Sequence, residues 1–202
     1  NMTITGGTIG ASAFEGCTRL ASLTFNDITE GTIGANAFKG CSRLLSVTFG
    51  NITGTELVDA LIDDSAFENC PKLGVITFGN LEYVTIDQSA FKKASDTSAA
   101  STDYPNLALS FGTLTDVDIN ASAFEGCSKL TSISFGAADG LNIASKAFAN
   151  CTSGLAANTN ASLVFNTLKE VTIAGTDATD GAFLNTTKLN TITFGASENL
   201  TS

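Results

Sequence analysis

The chain repeats itself, and so short a repeat admits few folds. The dipeptide Ala-Phe recurs seven times, with its aromatic at Phe14, Phe38, Phe67, Phe91, Phe124, Phe148 and Phe183. A second Phe follows each one: Phe25, Phe49, Phe78, Phe111, Phe135, Phe165 and Phe194. Together these are all 14 phenylalanines. Cysteine stands three residues after Ala-Phe at Cys17, Cys41, Cys70, Cys127 and Cys151, which is all five; Ala94 and Thr186 take that place in the other two units. Successive Ala-Phe spacings are 24, 29, 24, 33, 24 and 35 residues. The basic unit is therefore 24 residues, and the extra length falls near Thr53–Asp59, Lys92–Asn106, Ala149–Asn160 and Ala174–Gly181. These stretches are polar and small, as loops are.

Each unit carries two apolar patterns. The first, L-x-x-h-x-F (h apolar), runs from Leu20 to Phe25, Leu44 to Phe49, Leu73 to Phe78, Leu130 to Phe135 and Leu189 to Phe194. Asn106 and Asn160 replace its Leu in the two remaining units. Its last residues alternate as a half-buried strand does. The second, h-x-I-x-x-x-A-F, is seen at Val84 and Ile86, Val117 and Ile119, and Leu141 and Ile143. It predicts a second short extended segment. The A-F-x-x-C portion is expected to form one helical turn, with Phe and Cys on the same side. A unit this short cannot bury its own apolar face. Stacked units can, which gives a solenoid about 35 Å long with equivalent side chains in ladders.

Ser12-Ala13-Phe14-Glu15-Gly16-Cys17-Thr18-Arg19-Leu20, Asn36 to Leu44 and Ser122 to Leu130 resemble the BspA-like leucine-rich repeat of treponemal, Bacteroides-type and trichomonad surface proteins. The resemblance covers nearly the whole chain. It implies a leucine-rich-repeat solenoid, a right-handed superhelix, mostly β, with a parallel sheet and short helical turns. It also implies a cell-surface or secreted protein that binds a protein or glycan ligand. On this reading residues 1–202 are a single domain of about seven units within a longer chain. No polar capping unit is visible at either end, so the ends are expected to be covered by further repeats or by an end-to-end or edge dimer.

Composition removes other classes. The 202 residues include no His and no Trp, so neither a Ser-His-Asp triad nor an imidazole metal site is available. No C-x-x-C pair or phosphate-binding glycine motif occurs. Carboxylates at Asp59, Asp63 and Asp64, and at Asp177 and Asp180, match no calcium-loop spacing. No enzyme activity, cofactor or metal is expected. A net charge of −10 opposes binding to nucleic acid or to an anionic membrane, and no apolar run is long enough for a membrane span. An odd number of cysteines cannot pair completely within the chain, and the small buried Ala94 equivalent favours reduced core thiols.

The residues alternating with the buried ones in the first strand should form the presumed concave face. They are Ser22, Thr24, Ser46, Thr48, Thr77, Ser110, Ser132, Ser134, Thr191 and Thr193, with Val75, Ala108, Ser162 and Val164 completing the rows. These hydroxyls, with Tyr104 in the longest insertion, are the candidate ligand contacts. The other function compatible with the sequence is a structural spacer or display scaffold within a larger surface protein.

Overall fold

The computed structural model describes residues 2–4, 7–94, 105–151, 161–187 and 189–195. Within these, each coil of chain has three sides: a strand of a first sheet, a strand of a second sheet, and a chain of tight turns. The first sheet holds β1 (Met2–Ile4), β2 (Ser22–Phe25), β5 (Ser46–Phe49), β8 (Val75–Thr77), β10 (Leu107–Ser110), β12 (Leu130–Phe135), β14 (Ala161–Phe165) and β16 (Leu189–Phe194), stacked in that order. The second holds β3 (Ile28–Thr29), β4 (Thr32–Ile33), β6 (Ile52–Thr53), β7 (Ala60–Ile62), β9 (Leu81–Ile86), β11 (Leu114–Ile119), β13 (Ala138–Ile143) and β15 (Leu168–Ile173). Every strand pairing is parallel. The chain is thus a β-solenoid, and Met2–Ile4 adds a strand ahead of the first recognisable unit.

The two expected aromatic ladders form. Phe14, Phe38, Phe67, Phe91, Phe124, Phe148 and Phe183 stack ring on ring, with centroids 4.8 to 5.1 Å apart. Phe25, Phe49, Phe78, Phe111, Phe135 and Phe165 stack at 4.8 to 4.9 Å, and Phe194 follows at 5.6 Å. Rings of one ladder meet rings of the other edge-on, as Phe78 meets Phe91 at 5.9 Å and 85°. Stacked and edge-on pairs are both favourable arrangements of the ring quadrupole. Parallel strands lie about 4.8 Å apart. Ring stacking therefore fits the backbone spacing, and neither has to distort.

The segment expected to be a helical turn is not one, and no helix occurs among the described residues. In the first coil the amides of Ala13, Glu15 and Cys17 donate to the carbonyls three residues back, at Gly10, Ser12 and Phe14. The amides between them, of Ser12, Phe14 and Gly16, donate instead to Ala35, Ala37 and Lys39 of the next coil. A helix would consume all of these amides internally; stacking draws every second one outward. The outcome is three overlapping β-turns. Their third residues are left-handed where the type II pattern requires it: Ser12 at φ 55° and Gly16 at φ 68°. Equivalent positions are Asn36 and Gly40, Ser65 and Asn69, and Ser122 and Gly126. Each non-glycine in this conformation costs about 1 kcal/mol or more. The inter-coil hydrogen bonds offset that cost. Each Phe amide of this ladder from Phe14 to Phe148 reaches the Ala carbonyl of the next Ala-Phe pair, at 2.6 to 2.8 Å.

The second-sheet strands extend further than the h-x-I pattern indicated. Leu81, Leu114 and Ala138 begin them, and a left-handed third residue (Tyr83, Asp116, Gly140) drops out of register before the chain resumes at Val84, Val117 and Leu141. The replacement of Leu by Asn106 is also accounted for. Leu107 pairs with Leu130 through a register shift and is fully buried in its place.

Corners are packed as tightly as the sides. A Cβ on Gly79 would lie 2.6 Å from the Gly50 carbonyl oxygen, which is why glycine follows the strand Phe there. Beside it, the Asp27, Asn51 and Asn80 side chains accept the amides of Asn51, Asn80 and Thr113, one coil to the next.

Replacement of Phe91, which is fully buried and has a stacked neighbour on both sides, by Ala is expected to cost about 3–5 kcal/mol. Phe194→Ala, at a ring 60% exposed, should cost much less. Guanidinium chloride unfolding of both variants measures the difference; equal losses would contradict the ladder as the main source of stability.

Candidate functional site

The first sheet aligns the predicted face in register. One row runs Ser22, Ser46, Val75, Ala108, Ser132, Ser162 and Thr191, and the next runs Thr24, Thr48, Thr77, Ser110, Ser134, Val164 and Thr193. All alternate with buried partners such as Leu23, Val47, Ile76 and Ile133. Thr24, Thr48, Thr191 and Thr193 are exposed, and Ser22, Ser46, Thr77, Ser110, Ser132 and Ser134 are half-buried by their neighbours in the row. These side chains carry no charge and no aromatic ring. The arrangement can offer hydroxyl donors and acceptors at strand spacing; it holds no nucleophile–base pair. Tyr104 lies outside the described residues, as do 95–104 and 152–160 of the two largest insertions.

The insertion after β6 is visible. Thr55 and Val58 bridge each other, Leu57 is 94% exposed at its tip, and Ala60 and Ile62 return to the core. The nearby carboxylates already have partners, within their own turn or on the next coil. Asp63 accepts the Asp64 amide, Asp64 accepts the Ser65 hydroxyl, and Asp59 accepts the Thr85 hydroxyl. In the 174–181 insertion, Asp180 accepts the amides of Thr176 and Asp177 and the Thr176 hydroxyl. Asp177 accepts the amide and hydroxyl of Thr179. No group of three or more potential metal ligands occurs among the described residues. Asp63, Asp64, Asp177 and Asp180 cap their own turns, and Asp59 ties its loop to the next coil.

The cysteines have a structural job. The thiols of Cys41, Cys70, Cys127 and Cys151 point at the carbonyls of Phe14, Phe38, Phe91 and Phe124 in the preceding coil, at 3.1 to 3.4 Å. Thr186, in the same repeat position, donates its hydroxyl to Phe148 at 3.2 Å. The position therefore asks for a small side chain, which gives a hydrogen where it is Cys or Thr; Ala94 fills it, fully buried, with none to give. Burial pushes the Cys151 thiol well above its ordinary pKa.

One feature of the face went unread in the sequence. The residue before the strand Leu is basic at Arg19, Arg43, Lys72 and Lys129. The signal was periodic, but in an acidic chain isolated cations read as ordinary surface. Beside them Leu45 and Val75 are 48% and 45% exposed.

A model of the BspA-type leucine-rich-repeat region matches the chain in six copies, over residues 7–153 and 113–202. The chain belongs to that family. Among curated proteins none matches it. A leucine-rich-repeat protein from Bacteroides ovatus ATCC 8483 is a solved structure with 14% identity, covering 96% of this chain and 83% of its own, at a TM-score of 0.18. The fold assignment rests on the repeat geometry and the family match, and makes this a repeat module of the protein-interaction type. No helix among the described residues is long and apolar enough to cross a membrane.

Two outcomes test this description. In native protein an alkylating reagent should modify the half-buried Cys17 first and leave the other four; in denaturant without reductant all five should react. A native-state reaction at Cys151 as fast as at Cys17 would contradict the buried ladder. The second concerns Asp180. The Asp177 amide, then the Thr176 hydroxyl and amide, hold its carboxyl below the usual aspartate range. A depressed carboxylate supports its loop above the unfolded pKa and loses that support as pH falls through the folded one. Asp180 should thus titrate at lower pH than an ordinary aspartate in an NMR titration, with the Thr176 and Asp177 amide shifts moving together with it.

Proposed function

We propose that this chain is a non-catalytic recognition module of a cell-surface or secreted protein. It binds a protein or host-associated ligand through the outer face of the first sheet and the loops between coils. The observation that carries this reading is the pair of in-register, solvent-facing rows that begin at Ser22 and Thr24. Their scaffold is locked coil to coil, so a ligand meets a face already ordered, which lowers the cost of binding. Loops on such a scaffold commonly supply specificity, and the exposed Leu57 stands on one of them. Family membership supports the protein-binding part of the reading.

A spacer that holds other domains apart is the second reading, favoured by the continuity of both phenylalanine ladders through the coils. The two differ in what they retain. Immobilised chain should capture a partner from host or community extracts, and a Thr48→Lys, Ser134→Lys variant should lose it, because two bulky cations are set into rows that carry no charge. Trimming 95–104 should also weaken capture. A spacer would retain no partner, or the same set in all three proteins.

A further inference from the structure

The chain has 10 basic and 20 acidic residues, and the fold sorts them. Lys39 pairs with Glu68, Lys92 with Glu125 and Lys169 with Asp139, at 2.7 to 2.8 Å. On the second sheet and its margins stand Glu30, Glu82, Asp116, Asp118, Asp139 and Glu170. Arg19, Arg43 and Lys72 instead occupy the same repeat position on three consecutive coils, at the entry to the first-sheet strands. Arg19 and Arg43 are exposed and have no ion-pair partner among the described residues. With Ala21 and Leu45, the three cations line an open groove of about 330 Å³. Backbone bonds join its floor across coils: the Leu45 amide donates to Ala21, and Leu45 accepts the amides of Gly74 and Val75.

Like charges held on neighbouring coils repel one another. Here they are repeated at strand spacing beside exposed apolar side chains. An acidic ligand would relieve that repulsion. Guanidinium groups bind carboxylates in a bidentate fork. Within the groove, the half-exposed Leu45 adds something only an apolar group can use. A sulfated glycan would answer the cations and leave that floor wet.

We propose that this groove binds an acidic, partly apolar segment of a protein partner. Carboxylates of the segment meet Arg19 and Arg43, and an apolar side chain covers Leu45. The inference rests on the recognition reading above and gives it a site and a ligand chemistry. The acidic second sheet repels the same segment, so the field also orients its approach.

Fluorescence anisotropy with labelled synthetic peptides tests it on the whole chain. A peptide of alternating Glu and Leu should bind, more weakly as salt is raised. A matched Glu and Ser peptide should bind several-fold more weakly. Arg19→Glu with Arg43→Glu should reduce affinity for the Glu-Leu peptide by about tenfold or more, and Arg43→Gln by less. Lys146→Glu, a single charge reversal at an exposed residue on another side of the coil, changes the charge by more than Arg43→Gln does and should leave binding unchanged. Circular dichroism checks that the variants keep the wild-type fold. The proposal is overturned if the Glu-Leu peptide does not bind, if the double reversal binds it equally, or if heparin binds more tightly than the peptide. Should the peptide fail while Thr48→Lys, Ser134→Lys still abolishes partner capture, the groove is wrong and the recognition reading stands.

Discussion

Everything in this molecule depends on one distance, the spacing between successive coils. Parallel backbone pairing sets it at about 4.8 Å, and phenylalanine rings stacked at 4.8 to 5.1 Å accept it without strain. Two independent interactions agree on the same repeat. The two ladders then lock edge to face, so a ring belongs both to its own column and to the facing one. Each fully buried ring adds about 1.5–3 kcal/mol from desolvation, with about 0.5–1.5 kcal/mol for each favourable ring pair. No coil could bury these groups alone.

That spacing also dictates what may vary. Between the sides, a corner tolerates insertion if both ends return to register, as the loop carrying Leu57 does before Ala60 and Ile62 resume the core. Within a side, almost nothing is free. Gly79 is held by the close approach of Gly50, and Cys70 by a fully buried site that admits only a small side chain. Outward positions are exempt from both demands. There the chain carries hydroxyl rows on the first sheet, carboxylates on the second and a short file of cations at one strand entry. Varied surface chemistry is confined to such positions because the ladders claim the rest.

Phe, Cys and strand-Leu positions were legible because each type has one role and recurs at a set offset. Alternation was enough to separate Leu23 from Thr24 and Val47 from Thr48, so the hydroxyl rows could be written down before any coordinates. The turn segment was misread because A-F-x-x-C has helical spacing, and spacing cannot reveal that alternate amides bond to another coil. The clues were present in the Ser or Asn two residues before Phe in five units and the Gly or Asn two residues after it in six, although Lys93 and Lys146 take the same left-handed backbone. Leu107 escaped the pattern because a one-residue register shift lets it take a position that counting assigns to Asn106.

By itself the sequence determined that this is a stacked repeat, which residues form its ladders, and that imidazole chemistry is absent. Those conclusions follow from periodicity and residue type, which are properties of the chain alone. Only the tertiary structure decided where the amides go, what the thiols touch and which charges become neighbours. Arg19, Arg43 and Lys72 are separated by 24 and 29 residues, and nothing local joins them. Coil stacking brings them to one groove, because an inter-coil hydrogen bond turns a distance along the chain into a step of one strand spacing.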